Sequence, residues 1–178
     1  GEMIPLETVF LGFVVLFAII GALRGWAKEL LVSFSVVLAR FIEFVAVNYV
    51  PVLSGSFKGL SDTQPKTWFL VRLAIFVVLV AFGYATTVLS SRLNVKARKE
   101  KFQDTLLGLF LGVINGYLVM GMVWGFIDQL GYNVWGITGP QTASALGFLK
   151  YLPIGVLEGP TLFVAVAIAF AFVLIVFV

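Results

Sequence analysis

The stretch LRGWAKELL (Leu23–Leu31) decides the fold, because it places three charged side chains between two long apolar runs. Those runs are Ile4–Ala22 and Leu30–Val50, and each is close to the ~20 residues that a helix needs to cross a bilayer. The connection between them, Leu23–Glu29, is short enough to form only a tight turn. The pattern therefore predicts a helical hairpin with a charged tip.

The composition assigns the whole chain to the membrane proteins. Of its 178 residues, 61% are hydrophobic and only 12% are charged, whereas a soluble domain carries about 25% charged residues. Three further apolar stretches, Trp68–Ser90, Thr105–Ile127 and Thr161–Val178, lack the strict alternation of barrel strands. We therefore expect an all-α membrane protein with two hairpins, or four core transmembrane helices, and a fifth, C-terminal transmembrane helix.

The connections divide the chain into three predicted regions. Residues 1–128 form a four-helix membrane domain, residues 129–160 an extracytoplasmic or interfacial loop, and residues 161–178 the C-terminal transmembrane helix. Within the first region, Pro51–Thr67 is rich in Gly and Ser and is expected to be a polar loop. In the second, Gln141–Tyr151 is predicted to form a short helix at the membrane surface.

The distribution of basic residues predicts the orientation. Cytoplasmic loops of membrane proteins carry an excess of Lys and Arg, and an outside N-terminus places the first and third connections in the cytoplasm. The net charge of +3 then reports orientation, and it requires no nucleic-acid partner. The third connection is also expected to anchor lipid headgroups. The cytoplasmic set is Arg24, Lys28, Arg92, Lys96, Arg98, Lys99 and Lys101, the last five being the lipid anchors, and the outside set is Lys58, Lys66 and Lys150.

A stripe of small residues follows the third connection in DTLLGLFLGVINGYLVMG (Asp104–Gly121). Glycines every four residues let another helix approach closely, and an Asn on the same face can form a hydrogen bond across the contact. A second pair of small residues lies at the end of the first apolar run. Close helix packing and a substrate path along the stripe are both open. The residues concerned are Gly21, Gly25, Gly108, Gly112, Asn115 and Gly116.

Three ionisable residues lie within the apolar stretches, where charges are costly and are functional candidates by default. Glu43 and Arg72 are predicted at matching depths, so we expect an ion pair between them. Arg40 is expected near the depth of Asn115, and its i,i+3 spacing lets it compete for Glu43. A structural ion pair, a contact with another subunit, and a proton or ion relay are the alternative roles.

Two motifs in this order resemble the colicin V production protein (CvpA) family: ALRGWAKELL at Ala22–Leu31, and the Asp-led, glycine-rich helix from Asp104. The resemblance covers about Leu6–Asp128. It implies a protein of the bacterial inner membrane that is linked to colicin V production or export and to envelope homeostasis. It also suggests a cytoplasmic polar cluster that joins the two hairpins, formed by Arg24, Lys28, Glu29 and Asp104. The alternative is that each of these residues is a separate anchor at the membrane interface.

Residue types limit the chemistry that is expected. The chain contains no Cys and no His, which removes thiolate nucleophiles and the commonest metal and haem ligands. The run GLFLGVING lacks the Lys-Ser/Thr of a phosphate loop. We therefore expect no catalytic activity, no metal and no cofactor. The expected partners are the lipid bilayer and either other membrane subunits or further copies of the chain. The alternative functions are an accessory subunit of a respiratory or photosynthetic complex, and a small transporter or channel.

Overall fold

The computed structural model describes residues 4–85 and 101–177, apart from the side chains of residues 134, 135, 176 and 177. These residues form helices and contain no strand. Short 3₁₀ turns occur at Tyr132–Trp135 and Leu149–Tyr151. The helices are α1 (Leu6–Arg24), α2 (Trp26–Tyr49), α3 (Pro51–Thr63), α4 (Pro65–Ala85), α5 (Lys101–Leu130), α6 (Ala143–Phe148), α7 (Pro153–Val156) and α8 (Pro160–Phe177).

Helices α1, α2, α4 and α5 are each long and apolar enough to cross a membrane. A bent helix pair, Ala143–Val156 and Pro160–Ile175, meets at an angle of 54° and is long and apolar enough to form either a fifth, broken span or a re-entrant loop. Segments of this length and composition are those that bilayers accept, because a helix satisfies every backbone hydrogen bond internally. The predicted all-α, multi-pass membrane fold is therefore confirmed, with four or five helical spans.

Helix α5 lies at the centre of the bundle. It packs along most of α1 on one side and against α2 and α4 on the other. Although α1 and α2 are joined at Gly25, they contact each other little, because the small residues of α1 face α5. We call the two ends of the bundle the Arg24 end, where α1 ends and α5 begins, and the Tyr49 end, where α2 ends.

The hydrophobic core is formed where α2, α4, α5 and α8 meet. Its buried side chains come from every one of these helices, so the core is continuous across the bundle. Removing such side chains from contact with one another costs packing energy even in a membrane. The core residues include Val36, Phe76, Met122, Phe126 and Leu162.

Helix α3 replaces the loop that was expected at Pro51–Thr67, so that expectation is wrong. Pro51 is the first helical residue, where its missing N–H costs nothing. The hydroxyl groups of Ser56 and Thr63 donate hydrogen bonds to backbone carbonyls one turn earlier, at 3.0 and 2.7 Å. No residue of α3 is buried, and the helix contacts α2 and α4 at the Tyr49 end.

The short helix expected at Gln141–Tyr151 is present as α6 followed by a 3₁₀ turn. It begins after Thr142, whose hydroxyl accepts a hydrogen bond from the amide of Ala145. Such an N-cap satisfies an amide that has no partner within the helix. Before this helix, Tyr132 donates a hydrogen bond to Asp128, and burial together with this bond raises the pKa of Tyr132 to about 12.

Candidate functional site

The seam between α1 and α5 is made of glycines that leave no room for side chains. A Cβ atom built on Gly21 would lie 2.7 Å from Gly112 Cα, and one on Gly112 would lie 3.1 Å from Gly21 Cα. A Cβ atom on Gly108 would lie 3.0 Å from Gly25 Cα. Since the obstacles are backbone atoms, any larger residue must push the two helices apart.

The contact surface of α5 extends beyond the predicted stripe. Gly116 faces Val14 of α1, with 2.9 Å between its built Cβ and Val14 Cα. Further along, Gly121 and Gly125 receive the side chains of Pro153 and Ile154, respectively. Sequence reasoning missed these last two glycines as packing positions, although they continue the small-residue pattern of the same helix.

Gly25 is the single non-helical residue between α1 and α2. Its φ of 92° and ψ of 161° suit glycine, because a side chain is strained at this positive φ. The carboxylate of Asp104 lies directly against it, 2.5 and 2.8 Å from the position of a built Cβ. Asp104 Oδ1 accepts a hydrogen bond of 3.1 Å from the amide of Trp26. A carboxylate from α5 therefore caps the N-terminus of α2, which favours negative charge.

Arg24 and Glu29 form an ion pair across the Gly25 break. Arg24 Nε lies 3.1 Å from Glu29 Oε1, and Glu29 is 0% exposed. The guanidinium of Arg24 also lies over the ring of Tyr84, with its carbon 4.5 Å from the ring centroid. The ion pair lacks hydrogen-bond geometry, so neither Arg24 Nε nor Glu29 Oε1 has a hydrogen-bond partner among the described residues. The interaction between Arg24 and the carboxylate of Glu29 is therefore electrostatic.

Asn115 holds the other side of Glu29. Its Nδ2 donates to the backbone oxygen of Glu29 at 2.8 Å and to Glu29 Oε2 at 2.7 Å. Its Oδ1 accepts a hydrogen bond of 2.6 Å from the hydroxyl of Ser33. Asn115 is 0% exposed, and these bonds offset the cost of burying its amide. We call this set the Glu29 junction; it comprises Arg24, Glu29, Ser33, Tyr84 and Asn115.

The structure brings together part of the expected cytoplasmic cluster. Arg24 pairs with Glu29, whereas Asp104 bonds to the backbone at Trp26 and lies beside Gly25. Lys28 is exposed and forms none of the ion pairs described. Sequence reasoning missed Ser33 and Tyr84 and assigned Asn115 only to helix packing. The i,i+4 spacing of Glu29 and Ser33 was the available signal.

The expected lipid anchors fall mostly on the part of the chain that is not described. Arg92, Lys96, Arg98 and Lys99 lie outside the described residues. Lys101 is the first residue of α5 and is exposed at the Arg24 end. Its position is compatible with contact to lipid headgroups at that end.

A second buried ion pair lies toward the Tyr49 end. Arg72 Nη2 and Nε lie 2.5 and 3.1 Å from Glu43 Oε1, so the expected pair is present. The competing i,i+3 contact is also present, with 3.7 Å between Arg40 Nη1 and the same oxygen. One carboxylate oxygen therefore faces two guanidinium groups. We call these residues and Gln129 the Arg72 centre.

Neighbouring side chains fix the guanidinium of Arg72. Its Nη1 donates a hydrogen bond of 2.5 Å to Gln129 Oε1. Its carbon lies 4.2 Å from the ring centroid of Phe126 and 5.4 Å from that of Trp68. Stacking of this kind suits Arg, whose flat, weakly hydrated cation is attracted to aromatic faces. Sequence reasoning missed Gln129 and both rings.

Arg40 binds mainly to backbone carbonyl groups in the bent C-terminal region. Its Nε donates to the backbone oxygen of Leu157 at 3.0 Å, and its Nη2 donates to that of Ile154 at 3.2 Å. A cation at the C-terminal end of α7 compensates the partial negative charge of these carbonyls. The expectation that Arg40 lies at the level of Asn115 is wrong, because Asn115 bonds to Glu29 and Ser33, two to three turns away along α2.

Comparison with known families gives one result. The family model described as colicin V production protein matches residues 6–150. Comparison with curated proteins gave no significant match, and comparison with solved structures gave none either. Among the described residues, no group of three or more His, Cys, Asp or Glu is placed to hold a metal ion. Because the match covers most of the chain, this protein belongs to the colicin V production protein family.

Proposed function

We propose that this chain is a non-catalytic protein of the bacterial inner membrane that supports colicin V production or export and envelope homeostasis. The observation that carries the proposal is the family match over residues 6–150. In support, both family-like motifs contribute to one buried junction, where the carboxylate of Glu29 is engaged by Arg24 and Asn115. Groups engaged in this way serve to hold helices together.

The proposal includes assembly within the membrane and a defined orientation. The N-terminus lies outside the cytoplasm, and the chain associates with other membrane subunits or with itself. The orientation is supported by the charge at the Arg24 end, where Arg24, Lys28 and Lys101 lie. The sequence between α4 and α5 adds Arg92, Lys96, Arg98 and Lys99. At the Tyr49 end, α3 and its neighbours carry fewer basic residues.

The orientation is tested with single-cysteine variants, which are specific because the chain has no Cys of its own. Ser61→Cys reports the Tyr49 end and Lys28→Cys the Arg24 end, and both positions are exposed. In intact spheroplasts, a membrane-impermeant maleimide is expected to label Ser61→Cys and to label Lys28→Cys only after lysis. If only Lys28→Cys is labelled in intact spheroplasts, the proposed orientation is wrong.

The biological role is tested by deletion and complementation in a strain that secretes colicin V. Deletion is expected to reduce the zone of inhibition around producing colonies. The wild-type chain is expected to restore it, as is the control Gly12→Ala, since a Cβ at Gly12 meets nothing within 4 Å. Toxin release that is unchanged after deletion contradicts the proposed role.

A further inference from the structure

A cleft with several polar side chains on its walls opens at the Tyr49 end beneath α3. It lies between α3, the end of α2 and the start of α4, and its volume is about 440 Å³. Lys58 and Ser61 from α3 border it, with Asn48 from α2 and Trp68 from α4 as further walls. We call it the Trp68 cleft. Its polar lining consists of groups that can donate hydrogen bonds.

A smaller cavity of about 120 Å³ adjoins this cleft and is bordered by Arg72. The two share Ser61 and Trp68 as walls, and the smaller one is also bordered by Arg72 and Gln129. Each space is thus bordered by one cation, the cleft by Lys58 and the smaller cavity by Arg72, with Ser61 and Trp68 between them. This arrangement favours an anionic group.

An apolar recess lies next to Trp68, which also borders the other two cavities. It lies between α2 and α4 and is lined largely by carbon, with Glu43 also on its border. It shares Arg72 with the smaller of those two cavities. Ile42 and Ile75 border the recess and are also exposed on the outer surface of the bundle, at 41% and 46%. Since these side chains are apolar, exposed and within the spanning part of α2 and α4, we expect the recess to face hydrocarbon and the Trp68 cleft, at the end of these helices, to face the headgroups.

Asp62 lies one turn after Lys58 on α3, but the two side chains form no ion pair. Glu43 is engaged by both Arg72 and Arg40. Lys58 forms no ion pair in the described part of the chain. Phosphate esters are the abundant anions at headgroup level, and Lys and Arg are the residues that bind them.

Gln129 marks where a ligand oxygen can bind. Its Oε1 accepts the hydrogen bond from Arg72 Nη1, the only one of the guanidinium nitrogens of Arg72 not directed to Glu43 in the described contacts. Because the residue is exposed, its side chain is able to move aside and leave Nη1 free. A phosphate oxygen at that position makes a charge-assisted hydrogen bond, which is stronger than the bond to the amide.

We propose that the Trp68 cleft binds the phosphate group of a phospholipid, with an acyl chain lying along the apolar recess at Ile42 and Ile75. Lys58 attracts the phosphate and Ser61 contacts it, while Arg72 binds it when Gln129 moves aside. The proposal concerns lipid binding and does not depend on the role in colicin V production.

The test measures lipid binding to the full-length chain in mild detergent by native mass spectrometry. Phosphatidylglycerol is compared with diacylglycerol, which has the same chains and no phosphate, and with inorganic phosphate. Phosphatidylglycerol is expected to bind most tightly. Lys58→Gln is expected to weaken it about fivefold, the contribution of one basic residue near a membrane surface. Gln129→Ala is expected to strengthen binding, because it removes the amide that competes for Arg72.

Lys66→Gln is the matched control, because Lys66 is an exposed cation at the same end that does not line the three cavities. It is expected to leave binding unchanged. Equal retention of phosphatidylglycerol and diacylglycerol overturns the proposal, and so does an equal loss in Lys58→Gln and Lys66→Gln. Inorganic phosphate that binds as tightly as the lipid, with the same dependence on Lys58, assigns the cleft to a soluble anion and also overturns it.

Discussion

The Glu29 junction and the Arg72 centre are both buried ion pairs, but they lie at opposite ends of the bundle and differ in access. Glu29 is 0% exposed and is held from α1 and α5. The side chain of Glu43 is 17% exposed, and Arg72 borders a cavity that adjoins the Trp68 cleft. Charge alone therefore does not distinguish their roles.

The difference lies in what surrounds each pair. The Glu29 junction adjoins the glycine seam, where helix backbones meet with no side chains between them. The Arg72 centre lies among long side chains that leave space, including Trp68 and Gln129. We infer that the first is a structural connection between the halves of the bundle and the second is suited to exchange partners. Ionisable residues in membranes serve both purposes.

The largest effect is expected at the seam. Gly112→Val places a branched side chain against the backbone of α1, where even a Cβ atom would lie 3.0 Å from Ala18 Cα. We expect loss of the folded, detergent-stable protein, since α1 and α5 cannot approach each other closely at this position. Fluorescence-detected size exclusion of a tagged chain measures the folded fraction.

Gly12→Val is the matched control, because it adds the same side chain at a glycine with nothing within 4 Å of a built Cβ. It is expected to elute like the wild type. If both variants elute like the wild type, the glycine seam does not hold the bundle together. The Glu29 junction and the Arg72 centre then do not differ in the way proposed.

The sequence predicted the spans and the Glu43–Arg72 pair because both follow from local rules. Apolar length determines which segments cross the bilayer, and a charge inside a membrane needs a partner at its own depth. The glycine stripe of α5 was readable for the same reason, as a four-residue period. The sequence did not indicate that this stripe packs against α1. Since a tight turn joins α1 to α2, these two helices were expected to pack on each other.

The sequence analysis missed one helix with the composition of a loop and two contacts that depend on tertiary structure. Helix α3 has the composition of a loop, and it is helical where Pro51 starts it and hydroxyl groups bond back to its backbone. Arg40 binds carbonyls more than 110 residues further along the chain, a partner that no local pattern indicates. Asp104 likewise caps a helix to which it does not belong.

The central claim is that the two family-like motifs are coupled through Glu29 and Asn115. The most direct test is a double-mutant cycle of Glu29→Ala, Asn115→Ala and the double variant, with the free energy of unfolding measured in detergent micelles. We expect a coupling energy of about 0.5–3 kcal/mol, as for residues in direct contact. Strictly additive effects would show that the two motifs meet without stabilising each other and would contradict the account.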